Sequence, residues 1–260
     1  MNFSKAPVGL LIIAAIIGTL LFIEIGYRLG KKNYLRQVHE KNEVTSSVTG
    51  YILALIAFIM AFTFSIVSGR YDTKKALVRE ETNTIRTAWF RSDFLPDTDR
   101  VEAKKLFLEY VEVRLGGLQT KTEKGIIESL EQCDKIQQAL WHMAVINGHK
   151  DLNSDVAALY IESLNEMVNV HENRVIVSLY SRVPMGIWFI LLTMVALGMM
   201  VVGYMSAISG SSRSWAWLIL SVSFALVIGM IYTMDKLYSP FTPISQFPME
   251  QLLEFMKLNQ

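Results

Sequence analysis

The sequence predicts an all-α membrane protein: four transmembrane helices, with a helical-bundle soluble domain inserted between spans two and three. Three observations carry this. Hydrophobic residues make up 52% of the 260 and charged residues only 19%, against roughly 25% charged in an ordinary soluble domain, and mean hydropathy is +0.31. The deficit is concentrated, because residues 7–23, 44–69, 183–212 and 214–234 hold no Asp, Glu, Lys or Arg. A helix rising 1.5 Å per residue crosses about 30 Å of hydrocarbon in about 20 residues, so each segment is long enough. Residues 70–182, by contrast, carry 16 basic and 18 acidic residues and keep a helical period. The layout is therefore residues 1–69 with spans at 7–26 and 49–69, a soluble domain at 70–182, residues 183–234 with spans at 184–205 and 214–234, and a tail at 235–260.

The first apolar stretch follows a single cation, Lys5, and is longer than the hydrophobic region of a cleaved leader. Glu24-Ile25-Gly26-Tyr27-Arg28 after it offers no small-x-small cleavage site, so span one is read as retained. Span two continues into a soluble helix with Leu77, Ile85, Ala88 and Trp89 on one face, which Leu95-Pro96 ends. Asp97 or Asp99 caps a second helix that buries Val101, Leu106, Tyr110, Val113 and Leu115, until Gly116-Gly117 breaks it. A third begins near Thr122, buries Ile126, Leu130, Cys133, Ile136, Leu140 and Ala144, and closes at Asn147-Gly148. A fourth follows Asn153-Ser154 along Val156, Leu159, Leu164, Met167, Val168, Val175 and Leu179, and reaches span three before Pro184. Trp188, Trp215, Trp217, Tyr51 and Tyr232 are placed as interface anchors.

Composition removes several function classes. A net charge of +1 predicts no nucleic-acid partner, and a single cysteine excludes an internal disulfide or a multi-cysteine metal centre. Gly26-Tyr27-Arg28-Leu29-Gly30-Lys31-Lys32 is one residue short of a phosphate loop and lacks the hydroxyl residue after its lysine, so it reads as a basic juxtamembrane anchor. His39-Glu40 and His171-Glu172 open like zincin helices but lack the second histidine, and read as surface residues. No catalytic, cofactor-binding or metal-ligating residues are assigned, and no enzyme activity is expected.

The membrane residues are more informative. In span two, Phe58 and Phe62 stand one turn apart, while Ala54, Ala57, Ala61, Ser65 and Ser68 form a small-residue stripe; span four repeats the device with Ser221, Ala225, Gly229 and Thr233, and span three has Gly198 and Gly203. Such stripes let helices approach closely, and packing among the four spans is one reading. In the other, span two lines the axis of an oligomer, with Phe58, Phe62 and Ile66 as an apolar neck and Thr63, Ser65 and Ser68 as hydroxyls beside it. Charges at span ends, Glu24, Arg28, Arg70, Asp72 and Asp235, are candidates for the mouths. Glu24 four residues before Arg28 also has the favourable order for an ion pair. Basic residues in the short loops, Arg28, Lys31, Lys32, Arg36, Lys41 and Arg213, outnumber Lys5, Lys236 and Lys257 on the other side. That count places the helical domain outside the cytoplasm, although Arg70, Lys74, Lys75 and Arg79 on the domain side oppose it.

Taken in order, Glu24-Ile25-Gly26-Tyr27-Arg28-Leu29-Gly30, Ala61-Phe62-Thr63-Phe64-Ser65 leading into Arg70-Tyr71-Asp72, and Glu80-Glu81-Thr82-Asn83-Thr84-Ile85-Arg86-Thr87-Ala88 resemble the bacterial bestrophin-like domain family. The resemblance continues through Leu95-Pro96, Tyr110-Val111, Ser181-Arg182-Val183-Pro184 and Asp235-Lys236, although Leu237 stands where relatives read proline. It implies a likeness to bestrophin anion channels, oligomers whose second membrane helix lines a hydrophobic neck. The expected function is an oligomeric ion channel of the bacterial inner membrane, with the lipid bilayer, further copies of the chain and inorganic ions as partners. The alternative is a non-conducting scaffold or sensor whose helical domain binds a protein or ligand.

Overall fold

The computed structural model describes residues 7–35, 42–120, 122–151, 153–211, 213–236, 239 and 241–259. Lys5, Arg36, His39, Glu40, Lys41 and Leu237 lie outside them. The described residues form α1 (Val8–Leu35), α2 (Asn42–Arg91), α3 (Asp97–Gln119), α4 (Glu123–Gly148), α5 (Asp155–Val175), α6 (Met185–Ile208), α7 (Trp215–Asp235) and α8 (Phe247–Leu258), with no strand among them. Four helical stretches are long and apolar enough to cross a membrane, and the chain is an integral membrane protein. It divides into two compact units, one of residues 1–71 and 182–242, the other of residues 72–181 and 243–260.

In the first unit, glycine decides how α1 meets α6. A Cβ on Gly26 would run into the Met200 carbonyl, one on Gly203 into the Ile23 carbonyl, and one on Gly30 would lie 2.6 Å from the Tyr204 carbonyl. Gly26 and Gly30 are therefore interior positions of α1 that admit a neighbouring backbone. Ser221, Ala225, Gly229 and Thr233 of α7 are all buried, and a Cβ on Gly229 would come within 2.8 Å of Ile12 on α1, so this stripe packs inside the chain. Trp217 and Tyr232, near the two ends of α7, are buried against the rest of the chain. Trp217 stacks edge-on against Tyr27 at 5.2 Å, and its indole N–H donates to Ser206 Oγ at 3.3 Å.

In the second unit, Ile85, Ala88, Trp89, Phe107, Tyr110, Cys133, Leu140, Tyr160, Leu164 and Met167 form one core. Thr122 and Ser154 cap α4 and α5 through their hydroxyls, which accept from Gly125 and Ala157 N–H. Three expectations fail here for physical reasons. The α3 helix does not break at Gly116-Gly117 but runs on to Gln119, because Gly117 clears space for Ser129 of α4. Val101 is exposed, since α3 turns Ala103, Phe107, Tyr110 and Arg114 inward, and Val156 and Leu159 are exposed, since α5 buries Tyr160, Ser163, Leu164, Met167, Val170, His171 and Arg174. The chain after residue 242 is not a separate tail, for α8 seats Met249, Leu252 and Met256 in the same core.

Candidate functional site

The first candidate is the bare face of α2. Within its unit α2 buries Ile56, Met60, Thr63 and Val67, while Phe58 is 68% and Phe62 61% exposed. Tyr51, Leu55, Ser65 and Gly69 continue that exposed strip at alternating spacings of four and three, and Ala54, Ala57 and Ala61 lie exposed beside it. At about 100° per residue the phenyls occupy one edge of the bare face and the alanines the other. Nothing lies within 4 Å of where a Cβ on Gly50 or Gly69 would stand. Ala54, Ala57, Ala61 and Ser65 of the α2 small-residue stripe are thus left exposed by the rest of the chain, unlike the stripe of α7.

The polar candidates separate. Ser65 is exposed on the phenyl strip, Ser68 and Ile66 are half-buried on its flanks, and Thr63 is buried on the packed side. Its hydroxyl donates to the Ile59 carbonyl at 2.8 Å. Glu24 accepts from Arg28 Nε at 2.8 Å and from Arg213 Nη2 at 2.8 Å, so the expected pair exists inside a triplet that also ties α1 to the turn before α7. Asp235 accepts from the Val183 N–H at 3.0 Å, Asp72 pairs locally with Lys75 at 3.5 Å, and Arg70 is half-buried.

The second candidate lies inside the helical unit. Glu81 of α2 is wholly buried and accepts from Arg114 Nε of α3 at 2.9 Å and from Arg174 Nη1 of α5. Arg174 Nη2 donates to Gln246 Oε1, just before α8, at 2.7 Å. His171 Nδ1 stands 2.7 Å from Tyr110 Oη and 3.2 Å from Glu81 Oε1, and Gln137 Nε2 donates to Tyr110 Oη at 3.2 Å. Burial alone would raise the Glu81 pKa, but the adjacent Arg174 and Arg114 hold it well below the usual carboxylate range. Burial, then the Glu81 charge, pushes the Tyr110 hydroxyl well above its ordinary value, so it remains a donor. Burial pushes the Cys133 thiol up to about 12, which leaves it inert. This network was not foreseen, and His171 is a buried partner in it, not a surface residue. Its sequence signal was available: Glu81 falls in register with Leu77 and Ile85, and Arg114 with Tyr110, on faces that the apolar residues mark as buried.

Residues 13–247 match the Bestrophin-like domain. No curated protein matches the chain. Among solved structures, a single-substitution variant of a bacterial bestrophin homologue from Klebsiella pneumoniae is similar over 95% of this chain and 98% of that one, at 14% identity and a TM-score of 0.67. A second variant of that homologue gives 15% identity and a TM-score of 0.63 over 95% and 97% of the two chains. A crystal structure described as a membrane protein gives 14% and 0.60 over 95% of each. Such identities establish a shared fold.

Proposed function

Because the chain belongs to the Bestrophin-like domain family, we propose that it is an oligomeric ion channel in which α2 of each copy faces a common axis. The bare face of α2 carries this reading. A single chain leaves Phe58 and Phe62 on one edge of that face and Ala54, Ala57 and Ala61 on the other. Small residues in a membrane helix favour close approach of another helix, and here the other helix belongs to a second copy. The alanine edge then packs between copies while the phenyl edge turns inward as a hydrophobic neck, with Ser65 beside it and Ile66 and Ser68 flanking. The Glu24, Arg28 and Arg213 triplet and Asp235 act as structural ties, since each carboxylate already has partners in this chain. The basic residues of the short loops favour an orientation with the helical unit outside the cytoplasm.

The test is planar-bilayer recording of the purified, full-length protein and of Phe62→Ala. Removing a ring of phenyls widens and wets the neck, so the variant is expected to pass more current than the wild type. An absence of current in both, across voltage and pH, contradicts conduction and favours the scaffold reading.

A further inference from the structure

The buried network of the helical unit fixes one histidine in an orientation that has a chemical consequence at the surface. His171 is 1% exposed. Its Nδ1 lies 3.2 Å from Glu81 Oε1, a carboxylate oxygen that can only accept. Two lone pairs at that distance repel, so the partners assign the ring proton to Nδ1. Tyr110 Oη, 2.7 Å from Nδ1, then accepts from the ring and from Gln137 and turns its own hydrogen toward Glu81, 3.5 Å away. The tautomer leaves a lone pair on Nε2, on the opposite edge of the ring. Asp134 Oδ1, at 3.9 Å from Nε2, is beyond hydrogen-bond reach. No described residue donates to Nε2.

Two carboxylates lie close to the ring, one of them 3.9 Å from Nε2. Asp134 comes from α4 and Glu172 follows His171 on α5; one ligand atom from each, with one from the histidine, lies within 4.8 Å of the others. Both carboxylates are exposed at the edge of the helix pair, so their terminal torsions can close the set. An unprotonated imidazole nitrogen facing two carboxylates is three electron-pair donors with nothing positive between them. A carboxylate on the far ring nitrogen is also the usual companion of a histidine that holds a metal, because it fixes the tautomer and raises the basicity of the ligating nitrogen.

We propose that Nε2 of His171, with the carboxylates of Asp134 and Glu172, forms a divalent-cation site on the helical unit, oriented from beneath by Glu81 and Tyr110. One imidazole and two carboxylates suit zinc or a neighbouring late transition ion, whereas magnesium and calcium prefer sites built of oxygen alone. Zinc requires ligand distances of about 2.0–2.2 Å, so the two surface side chains swing inward while the buried histidine stays fixed. With a −2 pair of carboxylates and a neutral ring, the bound ion is charge-balanced.

The experiment titrates zinc chloride into chelator-treated, full-length protein in detergent, by calorimetry and by thermal unfolding, with magnesium chloride as comparison. The expected result is saturable binding of zinc at this site and a rise in unfolding temperature that magnesium does not reproduce. Asp134→Asn and Glu172→Gln alter exposed groups and leave the fold intact; each is expected to weaken zinc binding about tenfold or more. His171→Gln should abolish binding where it folds, and the two carboxylate variants decide the matter where it does not. Absence of saturable zinc binding, or binding whose affinity neither carboxylate substitution changes, overturns the proposal.

Discussion

Glu81→Gln is the sharpest perturbation of the helical unit. In the wild type one carboxylate, with no exposed surface, compensates two guanidiniums, Arg114 at 2.9 Å and Arg174 in direct contact. The amide keeps the size and one acceptor but removes the negative charge, leaving two buried cations facing each other. Breaking a buried ion pair from one side costs about 3–5 kcal/mol, a large fraction of the roughly 5–15 kcal/mol that holds a domain together. For a unit of this size that lowers the unfolding temperature by about 10–20 °C. Arg114→Gln is the informative companion, since it leaves Glu81 and Arg174 as a balanced pair and removes one charge-assisted hydrogen bond, at about 1.5–3 kcal/mol. Thermal unfolding of the two variants in detergent, followed by circular dichroism, reads the difference. A Glu81→Gln cost below about 1 kcal/mol, or an Arg114→Gln cost equal to it, refutes the charge-balance argument.

Acid titration tests the same carboxylate. Its folded pKa lies below the ordinary 4.5, so its contribution is complete above that value and is lost as pH falls toward the folded one. The stability gap between wild type and Glu81→Gln should be widest near neutrality and narrow progressively below pH 4.5 in chemical denaturation. Adjacent glycines of α3 should respond with opposite signs. Gly116→Ala meets open space and should stabilise by about 0.5–1 kcal/mol, whereas Gly117→Ala drives a methyl into Ser129 and should destabilise, both read by thermal melts. In the membrane unit, Gly26→Leu should abolish a monodisperse peak on gel filtration because α1 can no longer reach α6. Gly18→Ala, with nothing within 4 Å, should leave that peak unchanged.

The spans and most of the soluble helices were legible because their signals are local. Charge-free runs mark the membrane helices, and Thr122, Asn147-Gly148 and Ser154 punctuate the helical unit with capping chemistry that needs no tertiary context. Where tertiary contact decides, the local rule failed. Gly117 looks like a terminator but is a point of close helix contact, and Gly26 and Gly30, which the sequence places only in a basic juxtamembrane segment, also make the α1–α6 crossing. On α5 the apolar spacing marks Leu164 and Met167 correctly but passes over His171 and Arg174 because they are polar, and their burial becomes reasonable only when Glu81, Tyr110 and Gln246 arrive from three other parts of the chain. The α8 helix was missed for a related reason, as Met249, Leu252 and Met256 mark only a short apolar stripe whose place in the core depends on residues far away in sequence. On α2 the phenyls and alanines could be sorted onto neighbouring edges from spacing alone. That both edges are bare, while Thr63 faces inward, required the packing of the other spans.

The central claim is that the phenyl edge of α2 meets water in an assembled pore and not the acyl chains of the bilayer. Cys133 is buried and its thiol is pushed up to about 12, so a cysteine placed on α2 reports against a silent background. Phe62→Cys and Thr63→Cys, each reconstituted in a planar bilayer, are exposed to a charged, membrane-impermeant thiol reagent while current is recorded. The account predicts rapid modification of Phe62→Cys with a fall in current, and no reaction at Thr63→Cys, which faces the packed side. A conducting Phe62→Cys channel whose thiol stays unmodified, or reacts with no change in current, would contradict it.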